Sequence, residues 1–261
     1  MAVTCGSVAA WQLLRAQAGL ARKTIGKELG EEAHSADRIH KKKYGDRIEL
    51  LVLGDSIAAG LGAEMPRRTL GSQLATRLAK KTRRTVRLHT AAIVGAETSM
   101  LRAQLAGLPT GYRPDVAVIV VGGNDVTHRV RVSHSVSHLA QAVSALQERG
   151  CEVVVGTCPD LSALAAVPQP LRALGGRSSR RLAEAQRAVV TDLGARAVSL
   201  AHVVGPFFLA QPDEMFAIDR FHPSGAGYRR TAKALLPSVL AALGQDVTLP
   251  SGHFGPTKSR R

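Results

Sequence analysis

Aromatic side chains are scarce in this chain, at 3% of its 261 residues with a single tryptophan. That leaves no stacking platform for single-stranded nucleic acid and few flat faces for sugar rings. Cysteine is scarce too: Cys5, Cys151 and Cys158 are the full set. The last two flank "CEVVVGTC". If that run is a strand, their Cα atoms stand about 23 Å apart, at about 3.3 Å per residue, beyond the reach of a disulfide. No disulfide framework follows, and cysteine usage does not choose a compartment. No His/Cys/Asp cluster has metal-ligand spacing, and "GLGAEM" (60–65) breaks the dinucleotide fingerprint at Met65. Neither metal nor cofactor is expected.

Long hydrophobic runs are missing as well. The N-terminal "MAVTCGSVAAWQLL" is apolar for only about 13 residues before Arg15, too short to span a bilayer alone, and it lacks the basic start and A-x-A site of a secretory signal. Three readings stay open: the remnant of a longer anchor whose true start lies upstream, a basic amphipathic helix continuing through 15–32 on a membrane surface, or a helix packed on the domain or a frayed tail. Localisation is accordingly open between membrane-associated or exported through an N-terminal anchor, and cytoplasmic. Acids are in deficit, with 20 Asp and Glu against 35 Lys and Arg and a net charge of +15. The cations cluster at 40–47, 80–84, 177–181 and 258–261. Separated clusters without aromatics read as solvated helix faces and tails. Nucleic acid is not an expected partner; an anionic membrane surface is the partner that charge and N-terminus together suggest.

What is present is a large apolar fraction, 45%, enough for one sizeable core. From residue 47 short β-branched runs alternate with helical stretches, the pattern of a mostly parallel sheet covered on both faces. Strands are expected at 47–53, 85–92, 116–121, 152–156 and 196–200, and helices at 66–80, 97–107, 134–149, 177–193 and 224–243, the last capped by Ser224. The expected fold is therefore α/β in three layers, α/β/α, around a flavodoxin-like five-stranded parallel sheet. Residues 46–245 form the domain, 1–45 an apolar and basic N-terminal segment, and 246–261 a basic tail. The proline-interrupted stretch 159–175 reads as an insertion.

In such a sheet ligands gather at the carboxyl ends of the strands, and several polar groups fall there. Ser56 follows the first strand in "LGDSIAAG", Gly95 the second, and Asn124 and Asp125 the third in "VVGGND". "AIDRFHPS" carries Asp219 and His222. Taken one by one, each has an ordinary explanation: a serine after Gly-Asp caps helices, and Gly-Gly-Asn-Asp makes turns. Taken together and in this order, they resemble the SGNH hydrolases, also called GDSL lipases and esterases. "LGDSIAAG" (53–60), "AAIVGAETS" (91–99), "VVGGND" (120–125) and "AIDRFHPSGAGY" (217–228) match that family's blocks, over about residues 48–243.

The resemblance implies Ser56 as nucleophile, His222 as its base and Asp219 as the third triad member. It implies an oxyanion hole from the Ser56 and Gly95 backbone N–H groups and the Asn124 side-chain amide. Serine chemistry agrees, because a hydroxyl needs a base within hydrogen-bond reach and that base needs orienting. Asp55 and Asp125 are expected to brace turns. The expected activity is hydrolysis of carboxylic esters, short- to medium-chain acyl esters above all, of small molecules or lipids. The alternatives are a carbohydrate acetylesterase, a lysophospholipase or thioesterase of the same fold, or an idle membrane-surface module. Phe207, Phe208, Met215 and Phe216 of loop 203–218, with the insertion 159–175, are expected either to wall an acyl pocket or to form a second packing cluster.

Overall fold

Leu50 and Val52 face one side of the sheet, Leu51 and Leu53 the other, and all four are fully buried. A strand that hides both faces must lie between two helical layers. The protein is described by a computed structural model covering residues 2–25, 29–30 and 32–257, so the basic cluster 258–261 lies outside the described residues. Its sheet contains β1 (Ile39–His40), β2 (Gly45–Gly54), β3 (Arg84–Thr90), β4 (Val116–Val120), β5 (Glu152–Gly156), β6 (Arg196–Val198) and β7 (His253–Phe254). The spatial order is β1-β3-β2-β4-β5-β6-β7.

Strands β2 to β6 are mutually parallel and follow the flavodoxin-like order expected from the sequence. Alternation continues along β4, with Val116, Val118 and Val120 on one face and Ala117 and Ile119 on the other. One face packs under helices Leu70–Thr82 and Gly225–Ala242, the other under Leu101–Ala106, Val132–Glu148 and Leu171–Asp192. Each Leu, Ile or Val fully buried this way contributes about 1.5–3 kcal/mol. The two halves of the core therefore sandwich the sheet in three layers.

The expected count of five strands is corrected to seven. β1 and β7 pair antiparallel at the two edges, each through only two residues. Strands that short carry no periodicity of their own; partners place them. β7 forms because the chain after 245 turns back, with the Ser199 N–H donating to the Gly252 carbonyl (2.8 Å) and the Ser238 hydroxyl bonded to His253 Nδ1 (2.8 Å). The sheet thus draws on both flanking segments.

Helix starts follow their caps. Ser224 caps Gly225–Ala242 as expected, its Oγ accepting from the Ala226 and Gly227 N–H groups at 3.2 Å. The helix expected from 177 begins instead at Leu171, behind Pro170, which offers no side-chain cap and so gave no start signal. The stretch 66–80 divides into a 3₁₀ turn, Pro66–Arg68, and the helix Leu70–Thr82, capped by the Thr69 hydroxyl. Cys151 and Cys158 are buried and unbridged. The N-terminal segment forms one helix, Ala2–Ile25, lying against the start of Leu171–Asp192. Among the described residues no helix is long and apolar enough to cross a membrane.

Candidate active site

β2 is flanked by β3 on one side and β4 on the other, so the loops leaving their carboxyl ends diverge and open a crevice there. Ser56 stands at the start of the short helix Ser56–Ala59, directly after β2. Asp55 caps that helix, its Oδ1 accepting from the Ile57 N–H at 3.0 Å. The cap is costly to ionise: burial pushes the Asp55 carboxyl up to about 6, against the pull of the Ile57 bond and of His222.

His222 reaches the same place from the loop after β6. Its Nε2 lies 3.0 Å from Ser56 Oγ, and its Nδ1 lies 2.6 Å from Asp219 Oδ2. Asp219 Oδ1 accepts from the Phe221 and His222 N–H groups, each at 3.0 Å. The Asp-x-x-His spacing makes this local: one carboxylate orients the ring and fastens the turn that carries it. Burial pushes the Asp219 carboxyl upward, but the His222 ring bond, the two N–H bonds and the His222 charge outweigh it, so the carboxyl sits below its usual range. An ionised carboxylate only accepts, so Nδ1 must hold the proton and Nε2 presents its lone pair to Ser56.

The turn 216–223 is closed by the bond from the Ala217 N–H to the His222 carbonyl (2.8 Å) and by a bridge between Phe216 and Pro223. Gly62 lies against it with φ +94°; a Cβ there would meet the Pro223 carbonyl oxygen at 2.6 Å and His222 Cβ at 3.1 Å. The Tyr228 hydroxyl, fully buried, donates to the Leu61 carbonyl at 2.6 Å and holds that neighbour in place.

Asn124 sits in the helix Gly123–Thr127 after β4, and its Nδ2 donates to the Ala96 carbonyl at 3.0 Å. That bond joins it to the turn 93–96, where Ala96 N–H donates to the Ile93 carbonyl (3.1 Å) and Gly95 takes φ +80°, the conformation a type II turn demands at its third residue. Gly95 is exposed and stands beside the cavity wall rather than in it. Among the described residues, the Ser56 and Gly95 N–H groups donate to no protein acceptor. Asp125 braces the two loops, its Oδ2 accepting from the Thr98 N–H (3.0 Å) and its Oδ1 from the Ser135 hydroxyl (2.6 Å).

Two buried glutamines that sequence reasoning missed complete the frame. Gln104 exchanges two hydrogen bonds with the Gly54 backbone (2.9 and 2.7 Å), and Gln186 bonds both the Val121 carbonyl (3.0 Å) and the Cys158 N–H (2.7 Å). Both pin strand ends beside the site. Glutamine on a helix ordinarily reads as surface, so no signal marked them.

Ser56, Asn124 and His222 border a cavity of about 90 Å³. The rest of its wall is mostly apolar: Leu161, Leu164, Val204, Phe208, Phe216 and Phe221 are among the lining residues. The four side chains singled out in 203–218 divide. Phe208 and Phe216 line the cavity and meet edge to face at 4.8 Å, Met215 is in the core, and Phe207 points outward under Arg230. Leu161, Leu164 and Phe221 carried no individual signal in the sequence. Among the described residues, no group of three or more His, Cys, Asp or Glu side chains is arranged to hold a metal ion.

The chain is similar to known proteins of one family. Residues 52–230 match the model of the GDSL-like lipase/acylhydrolase family. The GDSL-like esterase Rv1075c of Mycobacterium tuberculosis is 41% identical over 212 residues, which are 81% of this chain and 67% of that protein. Two solved structures share the fold at low identity. The lipase/acylhydrolase from Enterococcus faecalis superposes with a TM-score of 0.60 at 19% identity, covering 78% of this chain and all of that one. The psychrotrophic esterase EstA from Pseudoalteromonas sp. gives 0.59 at 20%, covering 76% and 99%. The matched stretch runs from within β2, through the serine turn, to beyond the histidine turn, so Ser56, Asn124, Asp219 and His222 all fall inside it. This chain therefore belongs to the GDSL-like lipase/acylhydrolase family and is a serine hydrolase of that kind.

Proposed function

We propose that the chain hydrolyses carboxylic esters of short- to medium-chain acids through Ser56, His222 and Asp219. The observation that carries this reading is the unbroken chain Asp219–His222–Ser56, at 2.6 and 3.0 Å, ending on an apolar cavity. In the acylation step Ser56 Oγ attacks the ester carbon while its proton passes to His222 Nε2. The negative charge that forms on the carbonyl oxygen is met by the Ser56 and Gly95 N–H groups and the second N–H of the Asn124 amide. Collapse of this intermediate expels the alcohol, which takes the proton from His222 and leaves the acyl group on Ser56. Water then attacks the acyl-enzyme, giving its proton to His222, and the acid leaves as Ser56 recovers its own.

The cavity favours an acyl chain over a bare acetyl group, because its aliphatic and aromatic wall gains from each methylene buried, about 0.8 kcal/mol apiece. A p-nitrophenyl ester series tests the reading, with kcat/KM expected to peak between butyrate and octanoate and a fluorophosphonate expected to label Ser56. A chain that goes unlabelled, or that prefers acetylated sugars to every aryl ester, sinks it.

A further inference from the structure

Among the described residues, Leu13 and Leu20, on one face of the helix Ala2–Ile25, Leu174 on Leu171–Asp192 and Leu209 on Gly205–Ala210 are exposed large apolar side chains, on three elements linked by contacts into one strip. The helix Ala2–Ile25 meets the start of Leu171–Asp192, where the Leu171 N–H donates to Gln17 Oε1 at 3.1 Å. That second helix holds the turn Leu161–Ala163: Ser179 Oγ accepts from the Leu161 N–H (3.1 Å), and Arg180 pairs with Asp160 (2.8 Å). The turn in its own right touches the helix Gly205–Ala210. The strip is two-sided. Leu161, Leu164 and Phe208 line the acyl cavity within it, while Leu13, Leu20, Leu174 and Leu209 are exposed.

Charge follows the same strip. The helix Ala2–Ile25 carries Arg15 and Lys23 and no acid, and Leu171–Asp192 carries Arg172, Arg177, Arg180 and Arg181 before its first acid, Glu184. Cations also stand on the outward aromatics, Arg15 at 4.4 Å over Trp11 and Arg230 at 4.3 Å over Phe207. Amphipathic aromatics beside arginines suit the boundary between lipid headgroups and acyl chains. A second copy of the chain fits less well, since two such strips would oppose cation to cation.

We propose that this strip docks on an anionic lipid bilayer, with the apolar side chains seated at the headgroup boundary and the arginines on lipid phosphates. Docking there sets the outer side of the elements that wall the acyl cavity against the membrane. The interaction is separate from the chemistry proposed for Ser56, and Ser56→Ala is expected to bind vesicles as the wild type does.

The test is co-sedimentation of the full chain with vesicles of phosphatidylcholine alone or with about 30 mol% phosphatidylglycerol, alongside hydrolysis of a soluble ester. Partition onto the anionic vesicles should exceed that onto neutral ones by roughly tenfold and fall at high salt. Leu13→Asp with Leu209→Asp should lower it roughly tenfold while leaving soluble-ester hydrolysis within about twofold. Arg172→Glu with Arg177→Glu, which alters no apolar side chain, should bring anionic binding down to the neutral level. A wild type that stays in the supernatant overturns the proposal, as do paired variants that sediment like the wild type. So does a dimer seen by light scattering and abolished by the leucine changes in the absence of vesicle binding, which would give the face to a second copy.

Discussion

The two sides of the crevice are built on opposite principles. On the serine side short loops are pinned by buried polar bonds: Gln104 on Gly54, Asp125 on Thr98 and Ser135, Gln186 between Val121 and Cys158. On the acyl side, the proline-interrupted stretch 159–170 and the short helix Gly205–Ala210 turn mostly apolar side chains to the cavity, and polar bonds such as that from the Leu161 N–H to Ser179 hold the turn from behind rather than face the substrate space. Hydrogen bonds fix directions to within fractions of an ångström, which proton transfer needs; apolar packing fixes only a volume, which an acyl chain accepts. The polar side also costs more, because every buried group must find its partner. Chemistry and substrate choice should therefore be separable in this molecule, which the variants below test.

The largest expected effect on that separation comes from Ser56→Ala. It should lower kcat by a factor on the order of 10⁴ or more with folding intact, and a variant keeping a tenth of the wild-type rate would remove the serine from the reaction. Next comes Asn124→Ala, expected to lower kcat roughly 10²–10³-fold, about 3–4 kcal/mol, with KM little changed, since the amide serves charge present only in the transition state. A defect wholly in KM would reassign Asn124 to holding the Ala96 turn.

Asp55→Asn gauges the cost of the polar side. The wild-type carboxyl, raised by burial to about 6, binds its proton more tightly folded than unfolded, so that stabilisation is full below the usual carboxylate value and is lost as pH rises through about 6. Relative to the wild type, Asp55→Asn should gain up to about 3 kcal/mol of unfolding free energy between pH 4 and pH 8, read from urea midpoints. Parallel stability profiles would show that the cap is not paying to be ionised. The smallest effect is expected on the acyl side. Leu164→Phe should cut kcat/KM for octanoate roughly tenfold, leave acetate nearly unchanged and shift stability by about 1 kcal/mol. If it instead slowed every ester alike, the two sides would not be independent.

The polar side was largely legible in the sequence and the apolar side was not. Ser56, Asn124, Asp219 and His222 stand in short motifs at strand ends, and the structure brings Ser56, Asn124 and His222 to one cavity with Asp219 directly behind the ring. Strands β2, β4 and β5 announced themselves through continuous apolar runs, because a strand covered on both faces leaves such a trace, whereas β3 is interrupted by polar residues and β6 is only three residues of the run expected at 196–200. β1 and β7 left none, being placed by their partners. In the acyl wall, Leu161 and Leu164 differ in no local way from Leu171 or Leu174; only the fold decides which leucine meets the cavity and which meets water. Gln104 and Gln186 were hidden for a related reason, since their partners are backbone groups far along the chain.

At Gly62 the absence of a single methyl sets a clearance. The serine turn and the histidine turn come from opposite ends of the domain, and here one backbone rests directly on the other. With Ala at 62, a Cβ 2.6 Å from the Pro223 carbonyl oxygen would act as a wedge that forces the two turns to shift against each other. The reach of the His222–Ser56 hydrogen bond is thus gauged by a residue that takes no part in it, much as a shim sets the gap between two machined faces.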